Sequence, residues 1–132
     1  MKSHYHCVFD MKYHLVLVTK YRRKCFTNEI LNRLEIICVE LCQKWEVQVL
    51  EFGGEADHIH LLLDMNPTVQ PSKLINSLKT VTSRYIRKEF ATHLKQYYWK
   101  PVLWSRAYCL LTAGGAPIEK LREYIENQDR PT

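Results

Sequence analysis

The sequence predicts a ferredoxin-like, or RRM-like, α+β sandwich: an antiparallel βαββαβ sheet with two helices on one face and the other face left open, plus a C-terminal helix carrying Tyr124. Three observations predict it. Four short segments have the apolar alternation or β-branched richness of strands, two long segments between them repeat apolar residues at three and four, and an amphipathic tail follows a Gly-Gly-Ala-Pro break.

The first strand is predicted over 13–19, Tyr-His-Leu-Val-Leu-Val-Thr, and a basic turn Tyr21-Arg-Arg-Lys24 follows it. Thr27 can cap a helix in which Ile30, Leu31, Leu34, Ile37, Cys38 and Leu41 fall on one stripe, ending near Trp45. Residues 47–52 alternate as a second strand, Gly53-Gly54 marks a turn, and the third strand runs to about Met65. Pro67 and Pro71 precede a second helix over 72–90 with Leu74, Ile75, Leu78, Val81, Tyr85 and Ile86 inward. Tyr97-Tyr-Trp-Lys-Pro101 reads as a linking loop and 108–112 as the fourth strand. Gly114-Gly115 ends that strand, and Pro117 suits the first position of a last helix reaching about Asn127.

At 132 residues the chain supports one core, so a single domain over 1–132 is expected. The 19 basic against 14 acidic residues leave a net charge of +5, which favours polyanionic partners only weakly. The five cysteines include no C-x-x-C pair, and Cys38 and Cys42 sit one helical turn apart, as small core residues of a reducing cytosol would. No apolar stretch approaches the eighteen or so residues of a membrane span, so a soluble cytoplasmic protein is expected.

Chemistry concentrates in Asp57-His-Ile-His-Leu61. In a strand, side chains at i and i+2 share a face, so His58 and His60 form a two-toothed metal clamp on the face opposite Ile59 and Leu61. Composition alone yields an H-x-H roughly a quarter of the time, and His4-Tyr5-His6 repeats the spacing, so a half-buried strand pair is the default for the motif in isolation. A third ligand changes that weighting. In the last helix Tyr124 and Gln128 are i and i+4 and project together, a phenol beside a carboxamide oxygen able to complete a site with two imidazoles. Asp57 is a candidate base for the phenol proton, but strand alternation places it opposite the histidines.

Four blocks, Tyr13-His-Leu-Val-Leu-Val-Thr-Lys-Tyr-Arg-Arg23, Asp57-His-Ile-His-Leu61, Leu103-Trp-Ser-Arg-Ala-Tyr108 and Tyr124-Ile-Glu-Asn-Gln128, stand in one order across most of the chain. Together they resemble the small HUH-type single-tyrosine transposases, the TnpA proteins of bacterial and archaeal insertion sequences, departing at Ala107, where that family has Gly. The resemblance implies a metal-dependent single-stranded DNA endonuclease and strand transferase, one HUH transposase domain in a bacterial or archaeal cytoplasm. It makes Tyr124 the nucleophile and His58, His60 and Gln128 the ligands of Mg2+ or Mn2+, acting through a 5′-phosphotyrosine. It also implies single-stranded DNA with hairpin ends and a homodimer whose tyrosine helix works in trans. For phosphate contact the sequence offers Arg22, Arg23, Lys79 and Arg106, and for base stacking Tyr21, Tyr97 and Trp104. The alternatives are a domesticated repeat-associated tyrosine transposase and a non-catalytic module binding single-stranded nucleic acid.

Overall fold

The computed structural model describes residues 2–4, 7–9, 11–113 and 118–127. Two three-residue strands, Lys2–His4 (β1) and Cys7–Phe9 (β2), pair antiparallel in a segment where the sequence pattern predicts no strand. Strands this short contain barely one alternation, so periodicity cannot reveal them.

The main sheet begins with Lys12–Val18 (β3), whose Leu15 and Leu17 turn to one face while His14, Val16 and Val18 turn to the other. Asn28–Lys44 (α1) follows, capped as the sequence predicts: the Thr27 side-chain oxygen accepts from Ile30 N at 3.2 Å. Gln48–Glu55 (β4) and His58–Asp64 (β5) form a hairpin, then Pro71–Glu89 (α2) runs back along the sheet with Pro71 at its first turn. Ala91–Leu94 adds a short helix (α3) between the predicted second helix and the predicted linking loop, Cys109–Thr112 is β6, and Ile118–Asn127 is α4. The predicted strand end at Gly114-Gly115 and the predicted helix start at Pro117 lie outside the described residues.

The sheet order is β4-β5-β3-β6, with every neighbouring pair antiparallel. That is the ferredoxin-like arrangement expected from the element order. Leu15, Leu17, Ile59, Leu61 and Leu63 meet Ile30, Leu34, Cys38, Leu74, Ile75, Leu78 and Ile86 of α1 and α2 in a closed apolar layer. Burying each large side chain there contributes about 1.5–3 kcal/mol before entropy is subtracted.

Two expectations are corrected. Gly53 and Gly54 are strand residues rather than a turn: they pair with His60 and Ile59, and the reversal is the two-residue turn Ala56-Asp57. The physical reason is crowding. A Cβ on Gly53 would lie 2.6 Å from His60 Cε1, and one on Gly54 would lie 2.7 Å from the His58 carbonyl oxygen. The sheet face away from α1 and α2 is also not fully open, because α4 packs across β3, and Val16 and Val18 on that face are buried.

Candidate active site

Alternation along β5 sends Ile59, Leu61 and Leu63 into the core and leaves His58 and His60 side by side on the α4-facing surface, as the spacing predicts. Their ring centroids lie 6.4 Å apart with planes 30° from parallel. The absence of a Cβ at Gly53 lets the His60 ring lie across β4. Partial burial, reinforced by His58 beside it, holds the His60 imidazole below its ordinary pKa, which keeps a nitrogen lone pair available for a cation.

His58 is buried and oriented. Its Nδ1 donates to Asp57 Oδ1 at 2.8 Å, which places the proton on Nδ1 and leaves Nε2 as the atom able to bind an ion. Strand alternation extended through Asp57 places it opposite the histidines. Asp57 instead occupies the turn, where alternation does not apply, and its carboxylate is buried against His58.

The second oxygen of that carboxylate meets Arg22, with Nε and Nη2 each 3.4 Å from Asp57 Oδ2. Arg22 Nη1 donates to the Glu126 carbonyl oxygen on α4 at 2.6 Å. To aim the guanidinium this way the backbone takes left-handed conformations at two consecutive non-glycine residues, Tyr21 (φ 58°) and Arg22 (φ 52°). Each costs on the order of 1–3 kcal/mol. The turn is pinned by Lys20 N to Leu103 O at 2.8 Å and by the Tyr98 hydroxyl, which donates to Lys20 O at 2.6 Å.

A cleft of about 880 Å³ opens between the histidine face and α4, bordered by His14, Val16, His58, His60, Ile125 and Glu126, with Arg22, Glu51 and Glu55 at its edges. Tyr124 immediately precedes the two α4 residues that border the cleft; it does not line the cleft itself, and its hydroxyl oxygen is shielded from solvent. Gln128 lies outside the described residues. Ligand atoms of Glu55, Asp57 and His58 fall within 4.8 Å of one another, so the turn side of the cleft offers an acidic and imidazole donor set suited to a divalent cation.

The candidate DNA contacts divide. Arg22 is engaged inside the site, whereas Arg23 is exposed and stands 5.6 Å from the Tyr21 ring centroid. Lys79 Nζ donates to the Arg106 carbonyl oxygen at 2.9 Å, so these two residues adjoin. Tyr21 is exposed and Tyr97 half-buried, but Trp104 is a core residue: its Nε1 donates to Thr82 Oγ1 and its ring meets Phe26 edge-on at 5.4 Å. An aromatic in an apolar loop sequence carries no sign of which way it faces. Trp99, assigned only to a linking loop, is the exposed indole, at 94%.

Residues 7–128 match the family model described as Transposase IS200 like. The chain is 35% identical over 127 residues to the transposase for insertion sequence element IS200 of Salmonella typhimurium, covering 96% of this chain and 82% of that one. It is 28% identical over 121 residues to the ISDra2 transposase TnpA of Deinococcus radiodurans, covering 92% and 86%. A crystal structure of a Deinococcus radiodurans R1 protein superposes with a TM-score of 0.89 at 29% identity over the full length of both chains. The fold also matches a REP-associated tyrosine transposase bound to a REP hairpin, with a TM-score of 0.58 at 11% identity over 95% of this chain and 69% of that one.

Proposed function

Because this chain belongs to the family of IS200-like transposases, we propose that it cleaves and rejoins single-stranded DNA at insertion-sequence ends through a 5′-phosphotyrosine on Tyr124. The observation that carries this reading is one cleft bordered by the His58–His60 face and by the helix that bears Tyr124.

In the first step the Tyr124 phenolic oxygen attacks the scissile phosphorus, a new P–O bond forms, and the P–O3′ bond breaks to release a 3′-hydroxyl. In the second a different 3′-hydroxyl attacks the same phosphorus and the phenol leaves, so phosphodiester energy is conserved and no nucleotide triphosphate is needed. The residues present fit a divalent ion: His58 presents Nε2 because Asp57 holds Nδ1, and His60 stands beside it. We assign His58, His60 and Gln128 as its ligands, with Glu55 at the rim, and Mg2+ or Mn2+ as the ion that would polarise the phosphate and stabilise charge on its oxygens. Substrate phosphates are met by Arg23, Lys79 and Arg106, and bases stack on Tyr21 and Trp99.

The DNA is read as hairpin-ended, supported by the relative described as bound to a REP hairpin. A homodimer exchanging α4 so that Tyr124 works in trans belongs to the same proposal, as does a cytoplasmic location. Within one chain α4 already borders its own histidine face, so the site can also close in cis. Among the described residues no helix is long and apolar enough to cross a membrane.

The test is incubation with single-stranded, hairpin-bearing oligonucleotides and Mn2+. Wild type should give a denaturation-resistant protein–DNA adduct, and Tyr124→Phe should bind DNA and give none. An equal yield from Tyr124→Phe would move the nucleophile elsewhere, and an equal yield in chelator would remove the ion from the mechanism.

A further inference from the structure

We propose that Arg22 is a positioning residue that couples docking of the tyrosine helix to the setting of His58. Its guanidinium has two engagements on different elements. Two nitrogens face Asp57 Oδ2 at 3.4 Å, and Nη1 donates to the Glu126 carbonyl oxygen on the last turn of α4 at 2.6 Å. The other oxygen of Asp57 holds His58 Nδ1 at 2.8 Å. A continuous polar chain thus runs from α4 through Arg22 and Asp57 to His58.

Three features make this more than a surface ion pair. Asp57 is a buried residue, 6% exposed, so its carboxylate oxygens, withdrawn from water, need the hydrogen-bond partners that His58 and Arg22 supply. The acceptor on α4 is a carbonyl near a helix C-terminus, where the macrodipole favours a cation. The left-handed backbone at Tyr21 and Arg22 follows directly on Lys20, whose N–H donates to the Leu103 carbonyl and whose carbonyl accepts from the Tyr98 hydroxyl, so the turn that carries the guanidinium is anchored on its N-terminal side. A planar fork serves two partners at fixed angles, and an ammonium in its place is a single point charge. Coupling between two sites is reciprocal: whatever orders His58 also holds α4, and the reverse.

This inference rests on the metal-site reading above, and its experiment separates the two. Hydrogen exchange of the α4 amides and Mn2+ affinity are measured for wild type, Arg22→Lys, Asp57→Asn and the double variant, with Arg22→Gln as a second replacement should the lysine variant melt early. Arg22→Lys should speed α4 exchange about tenfold in the metal-free chain. It should also weaken Mn2+ binding by roughly tenfold. In the Asp57→Asn background the same change should still free α4 but leave Mn2+ affinity unmoved, because the path from Arg22 to His58 passes through Asp57. Mn2+ should slow α4 exchange in wild type and not in Arg22→Lys. Unchanged α4 exchange, or losses of Mn2+ affinity that simply add, would overturn the coupling. Failure of wild type to bind Mn2+ would overturn the metal reading, and Arg22 would then stand or fall as a clasp on α4 exchange alone.

Discussion

Adding one methyl group at Gly53 or at Gly54 separates the site from the fold. At Gly53 the new Cβ would lie 2.6 Å from His60 Cε1 and 2.8 Å from Nε2, both atoms of a side chain that can swing away. Alanine in a strand gains about 0.5–1 kcal/mol over glycine. Displacing a ring from its rotamer costs about 0.5–1.5 kcal/mol. Gly53→Ala should therefore shift stability by no more than about 1 kcal/mol. The site fares worse, since the moved ring is a proposed ligand. Mn2+ affinity should fall at least tenfold, the scale on which even residues behind the ligands matter. At Gly54 the Cβ would instead meet the His58 carbonyl oxygen at 2.7 Å, Leu31 Cδ2 at 3.0 Å and Ile59 Cγ2 at 3.1 Å. A backbone atom cannot rotate aside, so β4 must separate from β5, and Gly54→Ala should cost about 3 kcal/mol, the upper end of overpacking. Urea unfolding and Mn2+ titration of both variants provide the assay. A Gly53→Ala protein with undiminished Mn2+ affinity, or a Gly54→Ala protein unfolding at the wild-type urea concentration, would refute the reasoning.

Three further outcomes follow from the same structure. Thr27→Ala removes the α1 cap to Ile30 N and should cost about 1 kcal/mol by urea unfolding, with the slope unchanged. Replacing Arg23 and Arg106 by alanine should make the salt dependence of single-stranded DNA binding shallower by about 0.7 per residue in a log-log titration, and an unchanged slope would remove them from the interface. Burial pushes the thiols of Cys25 to about 11 and Cys42 to about 12, and that of Cys38 higher still. Iodoacetamide at pH 8 should leave all three unlabelled in the folded protein by peptide mapping and alkylate them after denaturation.

The parts of the molecule visible in the sequence were those whose signal is local. The period of α1, the Thr27 cap, Pro71 at the start of α2 and the two-residue spacing of His58 and His60 depend on neighbours a few positions away. Sheet order followed because the element order allows few connected topologies. The turn was misplaced because Gly53-Gly54 has two physical uses, reversal and close approach, and only the position of the His60 ring distinguishes them. The same ambiguity hides the Asp57–His58 contact, since the alternation argument holds only if Asp57 belongs to the strand. Arg22 read as a phosphate contact because its partners, Asp57 and the Glu126 carbonyl, lie 35 and 104 residues away. Trp104, expected to stack on bases, is buried and Trp99 is exposed for the same reason: exposure is a tertiary property.

The central claim is that Tyr124 and the histidine pair act around one cation. Placing 3-fluorotyrosine at position 124 alone and recording its 19F resonance with Mn2+ and single-stranded DNA tests it directly. Mn2+ should broaden the line severely, and His58→Ala with His60→Ala should restore it. A line that stays sharp while Mn2+ is bound at those histidines, with and without DNA, would contradict the account.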